Sequence, residues 1–326
     1  MPDSQVIPTV SVIAICFNHA RFVVECLDSI RTQTYEDFEL LIVDDCSTDN
    51  SVSIIADWIA LHDFECKLVT HKINVGICKT LNEAVLLCSG DLICMIATDD
   101  RWRKRRLESH LIQARHMPSN VAVIYSDTAQ ISEAGEPLPL SFLEAQRPGF
   151  LPPSGRIFET LVDRNFVHPI ASTIRRKAII DVGGYDEHQA TEDYDMWLRL
   201  AHKYHFIYSS EIVSDYRIVS TSITRTLFDS PTPGYAYGRF LLCEKWIPSD
   251  LLSAKQRVDW SSNQAAAAYW LYFHSDPRAP RCLWKAAFRT LKTRFFLLAV
   301  ASTLGITRKR AKEFSAKLGF VGKSKS

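Results

Sequence analysis

Hydrophobic and polar positions follow two different periods through the first 130 residues. Short apolar runs at residues 9–15, 38–43, 67–70 and 92–96 read as strands, and the unbroken ones, such as Leu92-Ile93-Cys94-Met95-Ile96, suit strands buried on both faces. Between them apolar residues recur at helical spacing: Phe22, Cys26 and Ile30 within residues 21–32, then residues 51–61 and 79–87. The order βαβαβαβ predicts a mostly parallel sheet wrapped by helices on both faces through right-handed crossovers. Such a sheet gathers the loops that follow its strands along one edge, where open α/β sheets bind their ligands. Those loops are Cys16-Phe17-Asn18-His19, Asp44-Asp45-Cys46-Ser47-Thr48-Asp49 and Thr98-Asp99-Asp100.

Beyond residue 120 the pattern loosens. An apolar segment at 121–125 ends in Ser126-Asp127, and Pro137, Pro139, Pro148, Pro152 and Pro153 then predict a loop or linker. A helix at 157–161, a strand around 170–174, the loop Gly183-Gly184-Tyr185-Asp186-Glu187 and a helix at 192–201 follow. From about 235 the pattern is helical to the end, including 256–272 and 283–300, and there is no internal repeat.

With 47% hydrophobic and 23% charged residues over 326 positions, the chain is globular and not disordered. Nine cysteines are scattered without a CxxC pair and no signal peptide opens the sequence, which points to reduced thiols in a cytoplasmic protein without disulfides or a zinc site. The net charge of +1 hides an asymmetry. Residues 281–326 hold 12 Lys or Arg against Glu313 alone, leaving 26 basic and 36 acidic residues in 1–280. A basic tail suits an anionic partner. Its apolar stretch at 295–306 is too short to span a bilayer, for which about 20 residues are needed. Flanked by Arg289, Lys292, Arg294 and then Arg308, Lys309, Arg310 and Lys312, it fits an interfacial helix at a membrane or, equally, a helix packed on the body. Nucleic acid is not the expected partner, because the body is acidic and the tail has only Phe314 and Phe320 beyond the apolar stretch.

Three constellations carry candidate chemistry. Asp99 and Asp100 end the fourth strand, where hard divalent cations take one or two carboxylates and leave their remaining positions to water and phosphates; an Asp there also caps a helix well. Asp44, Asp45 and the hydroxyls of Ser47 and Thr48 lie beside Phe17-Asn18, so Asp45 can accept the N3 proton of a uracil ring and Phe17 can stack on it, although the same loop reads as an N-cap cluster. Glu192 and Asp193 open a helix whose apolar side is Met196, Trp197 and Leu200. There they satisfy the helix dipole, or one of them serves as a general base.

Taken in order, Ser11-Val12-Ile13 through Phe17-Asn18, Val43 to Asp49, Asn74-Val75-Gly76, Asn82, Thr98-Asp99-Asp100, Gly183-Gly184-Tyr185-Asp186 and Glu192 to Trp197 resemble the family 2 glycosyltransferases of the GT-A fold, over roughly residues 8–225. The resemblance implies a Rossmann-like, mostly parallel sheet flanked by helices in residues 1–230, with a nucleotide-sugar half at 1–127, an acceptor half at 128–230, and a helical C-terminal extension at 231–326. It implies metal-dependent, inverting transfer from a nucleotide-sugar, most often a UDP-sugar, to a hydroxyl acceptor; the basic tail adds the expectation of a saccharide or lipid-linked acceptor at the cytoplasmic face of a membrane. Asp193 would be the base, with Glu192 its nearest competitor; Asp100, with Asp99, would hold Mn²⁺ or Mg²⁺; Phe17, Asn18, Asp45, Asn74, Asn82 and Asp99 would contact the donor. The alternative is a non-catalytic nucleotide-sugar binder on the same fold. The chain departs from the family pattern in four places: Ile15-Cys16-Phe17 before Asn18, Leu81 where an Arg is common, Ala97 as the missing first carboxylate, and no His after Tyr216-Arg217.

Overall fold

The computed structural model describes residues 9–219 and 231–307. The chain separates into two compact units, residues 1–187 with 191–222 and residues 188–190 with 223–326.

In the first unit the expected alternation is realised. Strands β1 (Val10–Cys16), β2 (Phe38–Asp44), β3 (Lys67–Thr70) and β4 (Leu92–Ala97) alternate with helices α1 (Val23–Arg31), α2 (Ser51–His62) and α3 (Ile77–Leu87). All four strands run parallel, in the order β4-β1-β2-β3. Every residue of β1 is buried, as a strand covered on both faces requires. Val12, Ala14 and Cys16 share one core with Cys26, Leu27 and Ile30 of α1 and Ile55 and Trp58 of α2, while α3 meets β1 and β2. The register sets Cys16 opposite Asp44 and Ile15 opposite Ala97, so the loops after β1, β2 and β4 leave from a single edge.

After β4 come β5 (Arg101–Trp102), α4 (Arg106–Ala114) and β6 (Val121–Ser126). The segment with Pro137 and Pro139 is not a plain linker: it forms β7 (Ala129–Ile131), β8 (Pro137–Ser141) and α5 (Phe142–Gln146). The strand β8 lies at the outer edge of its sheet, where a proline's missing N–H interrupts no ladder. Next are α6 (Phe158–Asp163), a 3-10 turn at Pro169–Ala171, β9 (Ser172–Arg175), α7 (Arg176–Asp181), α8 (Asp193–Lys203), β10 (His205–Ser209) and β11 (Ser214–Arg217). The main sheet is thereby completed to β10-β6-β9-β4-β1-β2-β3, with β9 antiparallel to both neighbours. A second sheet, β5-β11-β7-β8, brings β11 against the turn after β4.

The second unit is helical: α9 (Pro233–Trp246), α10 (Ala254–Phe273), α11 (Ala279–Thr290) and α12 (Thr293–Thr303). The single helix expected at 283–300 is two, because Leu291 takes φ 53° and ends α11 in a left-handed residue. The basic residues Arg308, Lys309, Arg310 and Lys312 lie outside the described residues. Among the described residues no helix is long and apolar enough to cross a membrane, and all nine cysteines are free thiols.

Candidate active site

The loop after β1 is pinned to the loop after β2. Asn18, at φ 59°, accepts at its Oδ1 from the Thr48 amide at 2.7 Å, and its own amide donates to Ser47 Oγ at 2.8 Å. The Asp44 carboxylate is fully buried and accepts from the Ser47 amide at 2.8 Å. Asp49 accepts from the Ser51 amide at 3.0 Å, so this loop does cap α2 as well as line the edge. Phe17 is half-buried at the same position. Asp45 is 3% exposed and organises the next loop: Oδ1 accepts from the Val75 amide at 2.9 Å and contacts His71 Nδ1 at 2.8 Å, while Oδ2 accepts from the Gly76 amide at 2.9 Å. Asn74 Nδ2 donates to the Asp45 carbonyl at 3.1 Å.

Asp99 and Asp100 occupy a tight turn, the Asp100 amide donating to the Ala97 carbonyl at 3.0 Å. Their environments differ. The Asp99 carboxylate is partly exposed, 3.7 Å from His19 Nε2, and His19 Nδ1 lies 3.0 Å from Thr98 Oγ1. Asp100 is 3% exposed and its Oδ1 accepts from the backbone N–H of Arg217 at 2.7 Å. Arg217 also donates from Nε to the Asp99 carbonyl at 2.7 Å, pairs with Glu25 at 2.5 Å and lies 4.9 Å over the Phe22 ring. Its guanidinium pairs with Glu25, and it reaches Asp100 through its backbone N–H as a hydrogen bond and through its charge at longer range. Burial, and then the charge of Asp99, hold the Asp100 carboxyl well above the usual carboxylate range. Two adjacent carboxylates, one of them buried, concentrate negative charge that a divalent cation would balance, and an all-oxygen donor set suits Mg²⁺ or Mn²⁺. Among the described residues no group of three or more His, Cys, Asp or Glu surrounds such an ion, so a diphosphate would have to supply the remaining ligands.

Asn82 joins α3 to the glycine loop. Its Oδ1 accepts from the Tyr185 amide at 2.7 Å, and its Nδ2 donates to the Tyr185 carbonyl at 2.9 Å and to Glu187 Oε1 at 3.1 Å. Both ends of the Asn82 amide are thus committed to shaping this loop. Gly184, at φ 74°, leaves no room for a side chain, because a Cβ would fall 2.6 Å from Asn82 Oδ1. The buried Tyr185 reaches back to β4, its hydroxyl 3.8 Å from Met95 Sδ. Glu192 and Asp193 then open α8, Glu192 as N-cap and Asp193 in the first turn. Asp193 Oδ2 accepts from Asn165 Nδ2 at 2.6 Å, a bond that orients the carboxylate. Burial first, and the charge of Asp193 second, push Glu192 up to about 7. Burial and next the charge of Glu192 raise the Cys78 thiol on α3 and the Tyr185 hydroxyl. Asp195, expected only as part of the helix start, is buried against Arg199 at 2.7 Å.

Sequence reasoning missed three residues of this arrangement. His19 and Arg217 adjoin the motifs and carried a signal only as polar neighbours of Asn18 and Tyr216; Asn165 carried none.

Residues 11–183, just over half of the chain, match the family described as glycosyl transferase family 2. The chain is 27% identical over 202 residues to the putative colanic acid biosynthesis glycosyl transferase WcaA of Escherichia coli (strain K12), covering 60% of this chain and 67% of that protein. It is 26% identical over 196 residues to an uncharacterized glycosyltransferase of Rickettsia felis, covering 59% of this chain but only 31% of that longer relative. Among solved structures, S. aureus TarS 1-349 in complex with UDP-GlcNAc superposes with a TM-score of 0.62 at 17% identity, covering 95% of this chain and 92% of that one. The mannosyltransferase PcManGT from Pyrobaculum calidifontis, in complex with GDP-Man and Mn²⁺, gives 0.58 at 18% identity, covering 96% and 84%. The two structures agree with the expected GT-A architecture, and the matched span carries the carboxylate motifs of the sheet edge. The chain belongs to glycosyl transferase family 2.

Proposed function

We propose that this chain transfers a sugar, with inversion, from a nucleotide diphosphate sugar to a hydroxyl acceptor in the synthesis of a surface polysaccharide or glycolipid. The observation that supports the reading is that Asp44-Asp45 and Asp99-Asp100 follow strands that end at one sheet edge, while Asn82 and Tyr185 fix to that sheet the glycine loop that precedes Glu192-Asp193. Phe17 stacks on the base. Asp45 Oδ2, which holds a single protein donor, takes the N3 proton of uracil, so a UDP-sugar is the expected donor. Asp99 meets the donor's sugar hydroxyls, and Asp100 with Asp99 would hold Mn²⁺ or Mg²⁺, which would supply positive charge to the departing diphosphate.

Asp193 accepts the proton of the acceptor hydroxyl. The oxygen forms its bond to the anomeric carbon on the face opposite the diphosphate, whose bond to that carbon breaks with the electron pair leaving on the diphosphate. A positioned base of this kind contributes about 10² to 10⁴ in rate. Asn165 keeps the Asp193 carboxylate oriented. In this reading residues 1–230 carry out transfer and 231–326 hold the protein at the inner face of a membrane, beside a lipid-linked acceptor.

The test is thermal denaturation with UDP, UDP-sugars and GDP-mannose, with and without Mn²⁺, followed by transfer or hydrolysis assays. A ligand at 100 times its Kd adds about 2.7 kcal/mol. A metal-dependent shift with a UDP-sugar and turnover that is lost in Asp193→Asn supports the reading. Donor binding with unaltered turnover in Asp193→Asn removes that residue as base, and no shift with any nucleotide overturns the whole.

A further inference from the structure

Outside the transfer site, the helices α11 and α12 present a surface that their own packing leaves unexplained. The two helices are joined by Leu291 and Lys292 and bury Leu283, Ala286 and Ala287 of α11 with Phe295 and Ala299 of α12 in the core of the second unit. The opposite side of α12 is apolar as well. Leu297, Val300 and Leu304, spaced by three and four residues and so on one stripe, are 67%, 44% and 68% exposed. Phe288 and Leu291 are exposed too. A helix with a second apolar face opposite its buried one suits a core or a bilayer, and here that second face is open to solvent. Its 11 residues reach only about 17 Å, roughly half of a hydrocarbon core, so it can lie in a membrane but not cross one. Leu291 holds the left-handed position where glycine is unstrained, which keeps a large apolar side chain at the turn at a conformational cost.

The charge around this stripe has one sign. Residues 281–307 contain five Lys or Arg and no Asp or Glu. Glu244 pairs with Lys285 and with Arg289, the latter at 2.8 Å, while Arg281, Lys292 and Arg294 stand exposed. Trp284, partly buried, packs at 5.8 Å on Phe288 and 6.3 Å from Phe296, an amphipathic ring of the kind favoured at the membrane interface. Beside it a groove of about 740 Å³ is lined by Arg281, Trp284, Lys285, Phe288, Arg289 and Glu244.

We propose that α12 lies in the surface of an anionic bilayer, with Leu297, Val300 and Leu304 in the acyl boundary and Arg281, Lys292 and Arg294 against the phosphate headgroups. This rests on the membrane part of the proposed function and not on the transfer chemistry. The experiment is flotation of the full chain with phosphatidylglycerol and with phosphatidylcholine vesicles, using the wild type, the triple variant Leu297→Gln/Val300→Gln/Leu304→Gln and the double variant Lys292→Gln/Arg294→Gln, each checked for folding by circular dichroism. The wild type is expected to float with phosphatidylglycerol and far less with phosphatidylcholine. The double variant should bind about 25-fold more weakly at low salt, at about fivefold per basic residue; the triple should lose binding at every salt concentration. A triple variant that floats like the wild type overturns the assignment of this face and leaves attachment to the remaining basic tail. A wild type that binds neither vesicle overturns membrane attachment altogether. Self-association lost in the triple variant, without vesicle binding, makes the stripe a contact between copies and overturns the proposal.

Discussion

Replacing Glu192 by Gln separates the electrostatics of the candidate base pair from its packing. A glutamate ordinarily titrates near 4.5, and here burial and then Asp193 push Glu192 up to about 7. Below pH 4.5 the group is protonated in the folded and the unfolded chain, and it adds no penalty. Between about 4.5 and 7 the unfolded chain gives up the proton while the folded chain keeps it, so stability falls as pH rises through that window. Two and a half units at 1.36 kcal/mol each come to about 3 kcal/mol, and solvent reaching the partly exposed side chain trims this to about 1–3 kcal/mol. Urea denaturation at pH 4.5 and pH 8 reads the effect directly. Glu192→Gln should match the wild type at pH 4.5 and exceed it at pH 8. The pH profile of kcat/KM for transfer should lose an inflection near 7, since the base no longer gains a charged neighbour there. An equal stability difference at both pH values, together with an unchanged inflection, would refute the reasoning.

Three further outcomes are expected. Asp100→Asn removes a carboxyl whose ionisation burial opposes and should raise the melting temperature of the ligand-free protein, while the Mn²⁺-dependent stabilisation by a donor disappears and transfer falls by at least about 10². Arg217→Met leaves the carbonyls of Asp99 and Glu133 without this donor, while Glu25 keeps Arg101, and should cost about 1–3 kcal/mol in denaturant titrations, with a raised donor KM because the turn at Asp99-Asp100 loosens. Gly184→Ala should cost about 1–3 kcal/mol through backbone strain and the clash with Asn82; pairing it with Asn82→Ala in a double-mutant cycle should recover the steric share, and strict additivity would exclude the contact.

The parallel half of the fold was readable because β1, β2 and β4 are predominantly apolar runs separated by segments with apolar residues at helical spacing. The chain beyond β6 was less readable for identifiable reasons. The strand β8 hides behind two prolines that only an edge tolerates, and β11 is four residues, Ser-Asp-Tyr-Arg, without apolar alternation. The carboxylates of the site stood out as pairs at strand and helix ends. Their partners did not, because Arg217 reaches Asp100 across 117 positions and Asn165 reaches Asp193 from a segment with no motif. Asn82 was noticed for its place in a family pattern, whereas its contacts are with the Tyr185 backbone.

The antiparallel strand β9 bears on how the protein folds. The strands β4 and β6 never pair with each other; each pairs with β9, and the fully buried Arg106 between them finds its acceptors at Ile170, Ser172 and Thr173. A nascent chain ending at residue 127 therefore has two open strand edges and a buried cation lacking its carbonyls, and its Asp100 lacks the amide of Arg217. Closing these long loops comes before the contacts that reward it, which favours slow and cooperative assembly. Donor affinity should accordingly emerge late, once residues 214–217 have docked, and not as a property of an early-folding nucleotide-binding half.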